Sequence, residues 1–234
     1  MRQLAFALAV LLPAMAGAEG ASLDAVTQGW SSEQRAQAQK SVDALAGEGL
    51  ERGAALDRIQ EWEAKGADSA RVLGLLDGLR QAASGARAAI VEVGLVPSSA
   101  LVESATAARM AGVEQGDLAR VLRGSASPED ASGRCLALST LASSGFAPQN
   151  AADVVHLAAE RGYSRSDLLM LVSSAQRLAR EGVAPHEVLG QVGSALQRGV
   201  RAIELYPTVM HTKSTSARPA PEAGFNHAVL RNGP

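Results

Sequence analysis

Cys135 is the only cysteine in 234 residues, so no intramolecular disulfide is possible and the core must hold the fold by itself. Aromatic residues make up 3% of the chain. That scarcity counts against sugar-binding and base-stacking surfaces, which need ring faces. Charge of one sign is also lacking. The formal net charge is −2 with acids and bases interleaved, which counts against a general nucleic-acid binder. No alternating run of β-branched residues is present, so no β-sheet is expected. Local catalytic signatures are missing too. There is no His-Glu-x-x-His, no glycine-rich loop closing on Lys-Ser/Thr, no Gly-x-Gly-x-x-Gly after a strand and no Gly-x-Ser-x-Gly elbow.

One apolar run exists, Leu4 to Leu12, after Arg2 and before Pro13. It is too short to span a bilayer. Small residues follow at Ala14-Met15-Ala16 and Ala16-Gly17-Ala18, which is the layout of a cleaved secretory signal peptide over residues 1–18. The mature chain is expected to begin at Gly17 or Glu19 and to be exported, periplasmic or extracellular. No cysteine follows the run to carry a lipid, and no second long apolar segment predicts an integral membrane span after cleavage. Taking Arg2 from the formal net charge of −2 leaves −3 on the mature chain.

What the chain does have is alanine, leucine and valine, which bring the hydrophobic share to 47%. It also has a recurring phrase of glycine followed by an apolar residue. The phrase occurs at Gly94-Leu95, Gly112-Val113, Gly145-Phe146, Gly162-Tyr163 and Gly182-Val183. Glycine takes the left-handed conformation that ends a helix without a Cβ clash. Pro97, Pro148 and Pro185 then fall at the first position of the next helix, where the missing N–H costs nothing. In that register Leu95, Val113, Phe146, Tyr163 and Val183 pair with Ala100, Leu118, Ala151, Leu168 and Val188 as hydrophobic staples. Asp117, Asn150, Asp167 and Glu187 lie in first turns, where acceptors meet unpaired N–H groups. Each copy therefore reads as the corner between two helices.

Between corners the pattern is helical. Ser31 and Gln34 form a capping box that opens a helix to about Ala46. Further helices are expected over about 54–64, from Asp68 or Ser69 through Leu79, and over 86–93, with Gly85 as an interruption. From there they follow at about 97–111, 115–123, 128–143, 148–161, 165–181 and 185–205. The clearest apolar stripe is Leu168, Leu171, Val172, Ala175, Leu178 and Ala179. In 185–205 the stripe is Val188, Leu189, Val192, Ala195, Leu196 and Ile203. Tyr206-Pro207 reads as a stop. The expected organisation is thus a leader (1–18), an all-helical domain (19–206) and a flexible tail (207–234).

Corner glycines from Gly94 on lie 18, 33, 17 and 20 residues apart, the longest interval holding an extra break at Gly124. Helix pairs at this spacing suit an irregular, solenoid-like helix-hairpin array. A compact all-α bundle reusing one good corner is the alternative.

Candidate chemistry is sparse. Cys135 and His156 flank the corner at Gly145 at similar distances, so an antiparallel hairpin brings them to similar height, and cysteine beside histidine can be an activated nucleophile. Against this, Cys135 shares its face with Leu138, Leu141 and Ala142, a core pattern. Asp57, Glu61 and Glu63 offer paired carboxylates, yet they alternate with Arg52, Arg58 and Lys65 as a solvated face does. His186 beside Glu187 has no companion ligands in sequence; no metal and no cofactor is expected. In the tail, Phe225, Val229 and Leu230 could form an apolar edge for a groove. The expectation for function is an exported, non-catalytic helical protein that binds a protein or peptide partner in the cell envelope, with no nucleic-acid role. The alternative is an enzyme or apolar-ligand carrier whose site is assembled across helices.

Overall fold

The structure is a computed structural model and describes residues 22–216. Residues 1–21 and 217–234 lie outside the described residues, and so does the leader expected over 1–18. Within them the chain is all-α, with no strand. Its helices are α1 (Leu23–Val26), α2 (Ser32–Glu48), α3 (Arg52–Ala64), α4 (Ser69–Glu92), α5 (Ser99–Met110), α6 (Gln115–Leu122), α7 (Pro128–Ser143), α8 (Pro148–Glu160), α9 (Arg165–Arg180), α10 (Pro185–Gln197) and α11 (Leu205–Ser216). A single 3-10 turn, η1, covers Ala202–Glu204.

The corner recurs more often than the sequence pattern shows. At Gly49, Gly66, Gly94, Gly112, Gly145, Gly162, Gly182 and Gly199 the glycine has positive φ. At each, the glycine N–H bonds three residues back and the next N–H bonds five residues back, as Gly162 to Ala159 and Tyr163 to Ala158, both at 3.0 Å. This is the Schellman closure, which satisfies carbonyls the helix end leaves unpaired. The residue after the glycine turns inward: Leu50, Val113, Phe146 and Val183 are buried. At Gly112, Gly145, Gly162 and Gly182 a cap residue follows and then the new helix, with Pro148 and Pro185 in its first turn, and Leu118, Ala151, Leu168 and Val188 are fully buried at the staple position. The expected capping box of Ser31 with Gln34 is formed, and Ser164 with Asp167 forms a second.

Four expectations need correction. The Gly94 corner is longer: Ser98, not Val96, caps α5, so Pro97 precedes the helix and buried Val102 replaces exposed Ala100 at the staple position. The Ser98 hydroxyl accepts the Leu101 N–H at 3.4 Å, a side-chain cap that Val96 cannot supply. Gly85 does not interrupt α4, which runs unbroken through it. A Cβ there would stand 3.1 Å from Arg109 Nε, so the glycine makes room for a crossing side chain. The helix expected over 185–205 ends at Gln197, because Gly199 closes it. Finally, Pro207 does not stop a helix. It sits in the first turn of α11, where its missing N–H is no loss, and Val209 beyond it is buried.

Every substantial helix contact joins elements one or two places apart in the chain. The helices α5, α7, α9 and α11 pack in one row, and α6, α8 and α10 in the other. A compact bundle would bring distant helices together; neighbour-only contact is the pattern of a helical array. Alanine makes the rows tight. Ala86, Ala89, Ala105, Ala108, Ala131 and Ala137 have no exposed surface, and small side chains permit short interaxial distances.

Candidate functional site

The nucleophile pair is not assembled. Cys135 lies in the core with no exposed surface and faces Ser104 of α5. Burial pushes its thiol up to about 12, so it stays protonated and unreactive. His156 turns to its own helix, with Nε2 3.5 Å from Glu160 Oε1. No hydrogen bond links it to Cys135.

Two of the three α3 carboxylates are committed elsewhere. Glu61 pairs with Lys65 at 2.6 Å and Arg58 at 3.0 Å, and the Lys65 hydrogen bond holds its carboxyl below the usual range. Glu63 accepts the Trp30 indole N–H at 2.6 Å. Asp57 is exposed. His186 is exposed in the first turn of α10, and no group of metal-ligating side chains occurs among the described residues. Phe225, Val229 and Leu230 lie outside the described residues.

A groove that sequence reasoning missed lies between α9 and the segment from η1 into α11. The α9 stripe of Leu168, Leu171, Val172, Ala175 and Leu178 is buried. That leaves Met170, Ser173, Ser174 and Arg177 on a second stripe at i, i+3, i+4 and i+7, and these line one wall. Ala202, Ile203 and Tyr206 line the other. Ile203 is 70% exposed, not buried with the α10 stripe as its sequence position implied, because Gly199 has already ended that helix. Met170 is exposed as well.

A small polar frame ties the two walls of the groove together. The Arg177 guanidinium lies 3.8 Å from the Tyr206 ring centre, a cation–π contact. The Tyr206 hydroxyl donates to Glu181 Oε1 at 2.5 Å, and Arg177 Nε donates to the same oxygen at 3.4 Å. That carboxylate raises the Tyr206 phenol above its ordinary value. One corner earlier, the Tyr163 hydroxyl donates to Val200 O at 2.5 Å and Arg161 reaches Gln197 O at 3.0 Å. Both tyrosines of the chain thus brace this end.

The groove's volume is about 220 Å³. That falls below the roughly 300–1,000 Å³ usual for small-molecule sites and suits one inserted side chain. A second groove, about 440 Å³, is lined by Ser144, Phe146, Gln176, Ala179 and Arg180. Its polar groups already serve one another: Gln176 donates to Ser144 at 2.8 Å and Arg180 to Gln176 O at 3.4 Å. No described helix is long and apolar enough to cross a membrane. The chain matches no family model, no curated protein and no solved structure.

Proposed function

We propose that the chain is an exported, non-catalytic helical array that binds a protein or peptide in the cell envelope. It takes one apolar side chain of that partner into the groove between α9 and Ala202–Tyr206. The observation that carries this reading is the exposure of Met170 and Ile203 on facing walls of one open groove. Exposed apolar residues gathered on a braced surface mark an interaction site more often than scattered ones do. A methionine wall adapts to different apolar partners, and a tyrosine ring adds a rigid contact.

The test is selection of peptides from a displayed random library against the full chain. Selected peptides should share an aromatic or aliphatic anchor. Their affinity should fall at least about tenfold in Ile203→Asp, as expected when a charge replaces an apolar anchor contact. Ile203 is largely exposed, so this variant keeps its fold. Peptides whose affinity ignores Ile203→Asp would dismiss the groove as the site. Export is checked separately by the mass of the protein recovered from the envelope. A product starting at Gly17 or Glu19 agrees with the proposal, and an intact Met1 refutes it.

A further inference from the structure

We propose that the groove's resident occupant is this chain's own segment Phe225–Leu230, which docks in cis and competes with partners. The inference rests on the groove being a peptide site and adds which peptide fills it first. Reach permits the contact. Tyr206 lines the groove at the start of α11, and the described chain ends at Ser216, the far end of that helix. The 12 residues of α11 span about 18 Å. Residues 217–224 then form a tether that extends up to about 26 Å, enough to double back along α11. Their composition, Ala-Arg-Pro-Ala-Pro-Glu-Ala-Gly, carries little that would bury itself elsewhere.

The chemistry of the segment matches the walls. Phe225 and Val229 stand at i and i+4, so one helical turn presents both to the same side. A phenyl ring fits a volume suited to one side chain, against the Met170 thioether, a favourable sulfur–aromatic contact. Between Gly224 and Leu230 there is no charged residue apart from what His227 carries, so docking buries no obligatory charge. A short tether holds the segment at an effective concentration in the millimolar range. Even a weak apolar contact is then occupied most of the time, and a partner in solution must displace it.

Photo-crosslinking of the full chain tests the claim. Phe225 is replaced by p-benzoylphenylalanine, and the product is mapped by mass spectrometry. The expected product is a crosslink within one chain to Met170, Ile203 or Tyr206. Crosslinks at other residues, or between two chains, overturn the proposal. The Phe225→Asp variant of the full chain gives a second reading. It should bind a library-selected peptide about fivefold to tenfold more tightly, because the competitor is gone. Unchanged affinity overturns docking in cis. If that occurs while Ile203→Asp still abolishes peptide binding, only the cis occupant is lost and the groove stands as a peptide site.

Discussion

The corners at Gly162 and Gly124 share a left-handed glycine and end their helices by different means. At Gly162 the backbone closes on itself: two N–H groups reach back, and Tyr163 packs against the core. At Gly124 the following residues are Ser125 and Ala126, so no large apolar side chain turns inward. Ser125 bonds back only three residues, to Leu122. A guanidinium completes the end instead. Arg134 of α7 donates to Val121 O and Arg123 O at 3.2 Å and to Gly124 O at 3.4 Å, and pairs with Asp130 at 2.7 Å. The lesson is that positive φ alone does not finish a corner. Either the next residue anchors in the core, or a side chain must supply the missing donors.

That contrast sets the expected order of effects. Arg134→Leu should be the most damaging change, about 2–4 kcal/mol, because it takes the donor from the Val121, Arg123 and Gly124 carbonyls at a nearly buried site. Urea denaturation measures it, and a loss under about 1 kcal/mol would show that water replaces the guanidinium without penalty. Gly162→Val comes next, at about 1–2 kcal/mol, since a β-branched residue resists positive φ. A Cβ at Gly162 meets no neighbour, so the cost is conformational alone. An unchanged midpoint would mean that this corner tolerates another backbone shape.

The smallest effect belongs to Glu61→Gln, at a solvated ion pair far from either corner, about 0.3 kcal/mol. Its sign with pH is set by the depressed folded pKa of Glu61. The carboxylate's contribution is present above the unfolded value near 4.5 and fades as pH falls through the folded one. Wild type and variant should therefore converge on acidification. A gap that widened toward low pH would contradict the pairing with Lys65.

Much of this architecture is legible in the chain because corner chemistry is local. Glycine, an inward apolar residue and a cap within three positions carry their own conformation, so Gly112, Gly145, Gly162 and Gly182 could be placed without a structure. Gly199 closes its helix in the same way but precedes only the short η1 turn, so the stripe of α10 ran on to Ile203 in the sequence pattern. Gly85 misled for a different reason. A helix tolerates one glycine for about 1 kcal/mol, and the gain from packing Arg109 across α4 depends on a distant element. Gly133, inside the helix expected over 128–143, makes room in the same way: a Cβ there would meet Arg165 at 3.1 Å. The groove is non-local in this sense too. Met170 and Ile203 come from elements separated by a whole helix, and no motif joins them. Cys135 and His156 show the opposite case, two residues level in sequence that side-chain direction sends to different neighbours.

Among the described residues the substantial helix contacts join near neighbours in the chain, the pattern of an array. Native-state hydrogen exchange of Gly162→Val against wild type tests it most directly. The account predicts weakened protection in α8 and α9 and in the adjoining α7 and α10, with α2 to α4 unchanged. An equal loss of protection across α2, α3 and α4 would contradict it, because only a single shared core could carry the damage that far.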